Sequence, residues 1–358
     1  MTTPTPHPHR GTPPEIAPAP QPAFHPPADT PTRPRRTDKL TALAPERTLR
    51  RLELAVTRRL DGLLHGEHMG LLPGPGTELA EARLYQPGED DVRHMDWAVT
   101  ARTTTPHVRD LVADHELHVW ALTDLSPSMQ FGTTTLLKRD LAVAALAAVG
   151  FLTVRLGDRI GAYLLGPGGL HRWPARTGKA AMYTLLQGIL DTPTPTADTN
   201  PHTPTPDLAQ AITALHRGQT RRGLRVIVSD FLDPTDPALH NPHPTWERPL
   251  RRLAARHQVL AVEIIDPREL DLPDVGLVEM TDPETGTVHE IVLNRRTRQR
   301  YAQAAAAQRQ RTRDALRRCG AHHLVLRTDR DWITDIARFA LRQRRAAGRA
   351  VAAQGVRP

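Results

Sequence analysis

The sequence predicts an α/β fold whose central β-sheet is mostly parallel and covered by helices on both faces. From residue 117 onward, short and continuously apolar segments alternate with longer segments of helical apolar spacing. Continuous apolarity is typical of strands that are buried on both sides of a sheet. In such a Rossmann-like, doubly wound sheet, functional side chains are expected just after the carboxyl ends of the strands.

The predicted elements follow one another regularly along this part of the chain. The first strand covers 117–124, and a long apolar helix follows at about 135–156. The apolar run Leu141–Val154 inside it is shorter than the roughly 20 residues that a bilayer requires, so it is predicted to be a buried helix. The other predicted strands cover 159–165, 223–230, 257–266 and 322–328, with weaker ones at 276–281 and 287–293, and the other helices cover 178–190, 207–217, 246–256, 295–318 and 331–347.

Composition divides the chain into four predicted regions. Residues 1–38 are predicted to be a disordered Pro-rich tail, because they contain much of the chain's 34 prolines and almost no large apolar side chains. Residues 39–116 begin with a helix at 40–65 and continue into a charged stretch, which is either an irregular subdomain or a long functional loop. Residues 117–348 are predicted to form the α/β domain, and 349–358 a flexible C-terminus.

The basic charge and the single cysteine indicate the cellular setting. The net charge of +8 comes almost entirely from arginine, since the only lysines are Lys39, Lys138 and Lys179. Richness in Ala, Arg and Pro is typical of GC-biased bacterial codon usage, which makes nucleic-acid binding a disfavoured interpretation of the charge. The single cysteine, Cys319, and the missing N-terminal signal pattern predict a cytoplasmic protein without a membrane span.

Polar side chains that could bind a metal follow two of the predicted strands. Asp124, Ser126 and Ser128 form a D-x-S-x-S pattern at the end of the first strand, and Asp230 ends the strand at 223–230. A carboxylate and two hydroxyls are hard oxygen ligands that suit Mg²⁺ or Mn²⁺. The alternative for the serines is a capping turn, in which their hydroxyls bond to the N-terminus of a helix.

Together these residues resemble the metal-ion-dependent adhesion site of von Willebrand factor A domains. The resemblance implies that Asp124 and both serines hold the ion, that a threonine from a second loop joins them, and that Asp230 often acts through water. The loop threonine corresponds to Thr205 in this sequence, with Thr203 as the rival. The Pro-rich loop around them departs from the glycine-glycine-threonine form of the family.

A second resemblance covers roughly residues 76–340 and is more specific. The chain is similar to the domain of unknown function 58 family in the segments YQPGEDDVRHMDWAVTART (85–103), HVRD (107–110), DLSPSM (124–129), VSDF (228–231) and IIDPRELDLPDVGLVEMTDPETG (264–286). In the first segment, GEDD is one acid longer than the expected form. Members of this family resemble von Willebrand A domains, commonly accompany MoxR-type AAA+ ATPases, and often have transmembrane helices near the N-terminus, which this sequence lacks.

The charged block at 85–103 has three interpretations. Arg93, Asp96, Trp97 and Arg102 match the family pattern within it. These residues form an internal network that ties the block to the α/β domain, a docking surface for a partner, or a solvated loop. We expect the internal network.

The sequence and the two resemblances predict a non-enzymatic interaction module. The bound Mg²⁺ or Mn²⁺ would be under-compensated by neutral hydroxyls, so its open position would favour an acidic residue of a protein partner. The family resemblance implies that this partner is a MoxR-type AAA+ ATPase, in assembly or chaperone-like work. A metal-dependent hydrolase is the alternative, although the sequence has no nucleophile elbow and no Walker A motif. An arginine-driven nucleic-acid binder is the third possibility.

Overall fold

A computed structural model of the chain has a mixed α/β fold with a mostly parallel central sheet. It describes residues 23–24, 45–64, 82–86, 92, 95–109, 118–155, 157–166, 168–191, 207–232, 243–281 and 287–354. The strands are β1 (Ala23–Phe24), β2 (Ala82–Leu84), β3 (His107–Arg109), β4 (His118–Asp124), β5 (Arg159–Gly166), β6 (Gly169–Arg176), β7 (Leu224–Ser229), β8 (Gln258–Ile265), β9 (Gly276–Thr281), β10 (Val288–Leu293) and β11 (His322–Arg327). The helices are α1 (Pro45–Leu64), α2 (Trp97–Thr103), α3 (Lys138–Arg155), α4 (Lys179–Leu190), α5 (Leu208–Gly218), α6 (Glu247–Ala254), α7 (Arg295–Arg318) and α8 (Trp332–Gln354).

The central sheet has six strands in the order β11-β8-β7-β4-β5-β6. Neighbouring strands are parallel except β6, which is antiparallel to β5. Of the six strands, β4 comes first in the sequence and lies in the middle of the sheet. The next strands, β5 and β6, extend the sheet to one edge, and β7 then pairs with the other side of β4. Open α/β sheets bind ligands where the strand order reverses in this way. The carboxyl ends of β4 and β7 are therefore the expected place for a site.

Helices cover both faces of this sheet because the strands send apolar side chains to both sides. In β4, Val119 and Ala121 pack into a core with α1, α3, α4 and α8, whereas Trp120 and Leu122 pack into a second core with α5, α6 and α7. The apolar helix α3 lies in the first core and is buried over most of its length. Among the described helices, none combines the length and apolarity needed to cross a bilayer.

The sequence pattern predicted five of the six central strands. It missed β6, an edge strand in which exposed side chains, among them Arg172 and Pro174, interrupt the apolar pattern. The weaker strands predicted at 276–281 and 287–293 are present as β9 and β10. They form a separate antiparallel sheet with β1 and do not join the central one. Helix α8 extends to Gln354, beyond its predicted end at 347.

The region before β4 contains a short antiparallel pair, β2 and β3, and the helix α2. Backbone hydrogen bonds join these elements, because the Asp96 N–H donates to the His107 carbonyl and the Tyr85 N–H to the Pro106 carbonyl. Of the tail predicted to be disordered, the structure describes Ala23–Phe24, which pair with β9. The rest of residues 1–38 lies outside the described residues.

A buried acid connects α6 to α7. Glu247 is 2% exposed, and its carboxylate accepts hydrogen bonds from Arg318 and Arg251. The hydrogen bond from Arg318 is the main reason that the pKa of Glu247 falls from 4.5 to about 2. Because the pKa is lower in the folded state, ionised Glu247 stabilises the fold above about pH 4.5, and this contribution is lost as the pH falls through about 2.

Replacing Glu247 with glutamine is expected to lower the free energy of unfolding by about 2 kcal/mol at neutral pH, since a neutral amide does not reproduce the attraction to Arg318. Urea denaturation followed by circular dichroism measures the difference. The deficit should shrink as the pH falls below about 4.5 and disappear near pH 2. A deficit that stays constant over this range would contradict the assignment.

Candidate functional site

The ends of β4 and β7 bring two aspartates to the same edge of the sheet. β4 ends at Asp124, and Asp230 directly follows the last residue of β7. The two strands are parallel neighbours, with Thr123 opposite Val228. Asp124 and Asp230 are 5% and 6% exposed. The two acids lie 106 positions apart in the sequence. The structure places both of them, nearly buried, at the edge of the sheet where β4 and β7 end, which is called the rim below.

Asp124 is fixed by hydrogen bonds from both strand ends. Its Oδ1 accepts the Ser126 N–H at 2.9 Å, and its Oδ2 accepts the Ser229 hydroxyl at 2.7 Å. Burial, followed by the negative charge of Asp230, raises the pKa of Asp124 to about 6. The ionised form of this carboxylate is therefore less favourable here than in water.

The two serines of the D-x-S-x-S pattern form the half-exposed part of the site. Ser126 Oγ and Ser128 Oγ are 3.1 Å apart, and the Ser128 hydroxyl donates to Asp230 Oδ2 at 2.8 Å. A short 3₁₀ helix begins at Pro127, but the Ser126 side chain makes no capping hydrogen bond to it. The capping alternative is therefore wrong for Ser126, whose hydroxyl instead lies beside that of Ser128.

A buried lysine that is not among the predicted site residues completes the charge distribution. Lys138, the first residue of α3, places its Nζ 2.7 Å from Asp230 Oδ2 and 2.5 Å from Glu269 Oε1. Burial opposes the charge on Lys138, but the attraction of Asp230 and Glu269 outweighs it and raises the pKa of the lysine above its ordinary value. Burial raises the pKa of Glu269. Lys138 is thus a fixed cation that neutralises part of the acidic rim.

Both missed residues leave a signal in the sequence. Lysine is rare in this arginine-rich chain, yet Lys138 begins the helix that contains the apolar run Leu141–Val154. Glu269 closes an Asp-x-x-Glu capping box with Asp266, in which the Glu269 carboxylate accepts the Asp266 N–H at 2.9 Å. A rare lysine at the start of an apolar segment indicates a buried ion pair.

Asp266, at the end of a third strand, β8, connects the loops around the rim by hydrogen bonds. It follows β8, is fully buried, and accepts hydroxyl hydrogen bonds from Thr133 at 2.6 Å and from Thr328 at 2.7 Å. Thr133 lies in the connection between β4 and α3, and Thr328 follows β11. These bonds hold the loops around the site together and keep Glu269 directed at Lys138.

Of the other predicted site residues, those that the structure describes lie away from this group. Thr205 and its rival Thr203 lie outside the described residues, as does Arg93. Asp96 bonds to the N-terminus of α2, where its Oδ1 accepts the Val99 N–H at 3.1 Å, so it shapes the block. Trp97 is 67% exposed, and Arg102 is exposed in the last turn of α2.

The donor set at the rim fits a small, hard cation. Mg²⁺ with oxygen ligands at about 2.0–2.1 Å brings adjacent ligand atoms to about 3 Å from one another. The hydroxyl oxygens of Ser126 and Ser128 are 3.1 Å apart, which fits two adjacent ligands of one ion. Ser128 directs its proton to Asp230, which leaves hydroxyl lone pairs for an ion.

Asp230 itself suits a contact through water. Its Oδ2 accepts Ser128 and Lys138, and its Oδ1 accepts the Leu232 N–H. In the part of the chain that the structure describes, no group of three or more His, Cys, Asp and Glu side chains is arranged to hold an ion. An ion at this edge would therefore depend on the two hydroxyls and Asp124.

Comparison with known proteins identifies the family. The model of the family described as "Protein of unknown function DUF58" matches residues 81–311. This chain belongs to the DUF58 family. The matched segment contains β4, β7 and every residue of the rim from Asp124 to Glu269.

Similar proteins occur in mycobacteria. The chain is 52% identical over 299 residues to the uncharacterized proteins Rv1480 of Mycobacterium tuberculosis and Mb1516 of Mycobacterium bovis, covering 84% of this chain and 90% of each relative. Among solved structures, BatB from Bacteroides thetaiotaomicron aligns with a TM-score of 0.34 and 15% identity, over 64% of this chain and 99% of that one. An aerotolerance-related membrane protein from Bacteroides fragilis aligns with a TM-score of 0.35 and 13% identity, over 63% of this chain and 99% of that one.

Proposed function

We propose that this DUF58 protein is a von Willebrand A-like interaction module in which Asp124, Ser126 and Ser128 hold one Mg²⁺ or Mn²⁺ ion. Asp230 assists through water, and Thr205 remains the proposed loop ligand. The hydrogen bond from Ser128 Oγ to Asp230 Oδ2, at 2.8 Å, carries the proposal, because it joins the polar groups that follow two neighbouring parallel strands. The reversal of strand order at β4 and β7 supports it, since ligands bind at this point of open α/β sheets.

The charges at the rim favour a divalent cation. Asp124, Asp230 and Glu269 provide three carboxylates, and Lys138 provides one ammonium group. With the buried carboxylate of Asp266 at the same rim, negative groups outnumber the one ammonium group, and a dication would reduce this excess. Burial is the main cause of the raised pKa of Asp124, and the negative charge of Asp230 adds to it.

A bound ion would supply positive charge at the half-exposed side of the rim, where an acidic side chain of another protein can approach. Ser126 and Ser128 are half-exposed, whereas Asp124 and Asp230 lie behind them and are nearly buried. The hydroxyls stay neutral and leave attraction available for that incoming carboxylate. The role is therefore binding, without chemistry on the partner.

We propose a MoxR-type AAA+ ATPase as the partner, because members of the DUF58 family commonly accompany such ATPases. The test uses the full chain and a purified MoxR-type ATPase from the same organism. Isothermal titration with Mn²⁺ and Mg²⁺ is expected to show one site per chain, and a pull-down should capture the ATPase with Mg²⁺ but not with EDTA. Asp124→Ala should weaken metal binding by about a hundredfold or more, since it removes the buried carboxylate of the site.

Asp191→Ala is the matched control, because it removes an exposed aspartate at the end of α4 and leaves the rim unchanged. This variant should bind metal and ATPase as the natural protein does. No saturable metal binding by the natural protein would overturn the proposal. Metal binding without capture of the ATPase would support the metal site and contradict the proposed partner.

A further inference from the structure

A cavity of about 480 Å³ opens at the edge of the central sheet opposite the Asp124 rim. His118, the first residue of β4, lines it, whereas Asp124 is the last residue of the same strand. Six residue steps of extended strand place the two edges roughly 20 Å apart. The cavity therefore cannot share a ligand with the rim. Its volume lies in the usual range of pockets for small molecules.

Four arginines line this cavity, and none of its described lining residues is acidic. Arg159, Arg172 and Arg221 are exposed at its mouth, and Arg225 is completely buried beneath them. They come from β5, β6, the segment before β7 and β7 itself, so the fold gathers them from four places in the sequence. A concave surface with several guanidinium groups and no acid attracts anions.

The buried Arg225 has partners that do not neutralise it. Its Nη1 donates to the carbonyls of His118 and Leu224, and its Nη2 donates to the carbonyl of Arg221. Its Nε has no hydrogen-bond partner in the described structure. Burial lowers the pKa of Arg225 to about 10, so the side chain remains charged at neutral pH. A buried cation held only by carbonyl dipoles is under-compensated, and an anion in the cavity would stabilise it.

Two histidines near Arg225 do not neutralise its charge. Burial and the charge of Arg225 lower the pKa of His257 to about 4, so this histidine stays neutral. Burial and three nearby arginines also lower the pKa of His216. Burial is the main cause of both shifts, so the histidines are neutral neighbours of Arg225 and do not compensate it.

Two of the exposed arginines at the mouth contact neighbouring side chains. The guanidinium of Arg172 lies 5.3 Å from the centre of the Trp120 ring, in a cation–π contact. Arg221 Nη1 lies 3.4 Å from His118 Nε2. Contacts of this kind limit the side-chain freedom that an arginine loses when it binds, and the planar guanidinium suits two oxygens of a phosphate group.

We propose that this cavity binds a small phosphorylated metabolite that carries at least two negative charges. Four cationic side chains around an open cleft of this size favour a compact, multiply charged anion. A nucleic acid would instead need a basic surface that continues along its backbone. This proposal is independent of the metal site.

The test is isothermal titration calorimetry of the full chain in EDTA. Pyrophosphate, ADP and adenosine are titrated in separate experiments. Pyrophosphate and ADP are expected to bind saturably at one site per chain, and adenosine should not bind. Arg172→Gln and Arg221→Gln are each expected to weaken pyrophosphate binding by about tenfold, because each removes a charged donor pair. Their melting temperatures show whether these exposed substitutions leave the fold intact.

Arg300→Gln provides the matched control. Arg300 is exposed on α7 beside Tyr301, whose pKa is raised by burial and then by the charge of Glu269, at the opposite edge of the sheet. This variant changes the net charge equally and should leave affinity within about twofold of the natural protein. Asp124→Ala should also bind pyrophosphate normally.

Four results would overturn the proposal. They are no saturable binding of pyrophosphate, equal weakening by Arg300→Gln, loss of binding in Asp124→Ala, and binding of a single-stranded oligonucleotide without binding of pyrophosphate.

Discussion

Lys138→Met is expected to lower the free energy of unfolding by about 3 to 5 kcal/mol, because it leaves two carboxylates near the rim without their cation. Lys138 Nζ is the shared partner of Asp230 and Glu269, and its side chain is 1% exposed. Methionine keeps most of the side-chain volume, so the loss reports charge and hydrogen bonding and not a cavity. Urea or guanidinium denaturation in EDTA at neutral pH measures it.

Lys179→Met is the control for this prediction. Lys179 also pairs with a glutamate, Glu53, but its side chain is 66% exposed. Exposed ion pairs contribute at most about 1 kcal/mol, so this variant should unfold close to the natural protein. If Lys138→Met were as stable as Lys179→Met, the buried ion pairs of the rim would not hold it together. Added Mg²⁺ should restore part of the stability of Lys138→Met, since a dication can replace the missing charge.

The fold could be predicted from the sequence because its signal is local. A strand buried on both faces is continuously apolar, as β7 and β8 are, and this pattern survives any arrangement of the rest of the chain. The edge strand β6 has one face open to solvent and its apolar pattern is broken, so it was missed. Membership of β9 and β10 in a separate sheet depends on non-local pairing, which periodicity does not report.

The candidate site also combines residues that the sequence predicts with residues that it does not. The pattern at Asp124, Ser126 and Ser128 is local, and Asp230 ends a clear strand. Lys138 and Glu269 lie 131 positions apart, and their pairing arises from tertiary structure. The arginines of the cavity form no pattern in the sequence, because their convergence also requires the folded sheet.

Asp124→Asn is expected to stabilise the metal-free protein by about 1 to 2 kcal/mol at neutral pH while it removes metal binding. The amide has no charge to be penalised by burial or by Asp230. Its oxygen can still accept the Ser126 N–H. Its N–H₂ group can donate to Ser229 Oγ, which has a second lone pair beside the one that accepts the Phe231 N–H.

The pH dependence of this variant has a defined sign. The pKa of Asp124 is raised from 3.8 to about 6, so the folded protein binds this proton more tightly than the unfolded chain does. The contribution of Asp124 therefore makes the free energy of unfolding of the natural protein in EDTA fall as the pH rises from about 3.8 to about 6. This part of the slope should be absent from Asp124→Asn, and the two curves should converge near pH 4.

Magnesium should reverse the order of stability of the two proteins. An ion that binds only the folded state adds about 2.7 kcal/mol when its concentration is a hundred times its dissociation constant. The natural protein should gain this stabilisation, whereas Asp124→Asn should gain almost none because its neutral amide does not compensate the ion. Denaturation curves of both proteins, in EDTA and in Mg²⁺, give the four free energies required. If Asp124→Asn were the less stable protein in EDTA, or if Mg²⁺ stabilised both equally, Asp124 would be a structural residue of the rim and not a ligand.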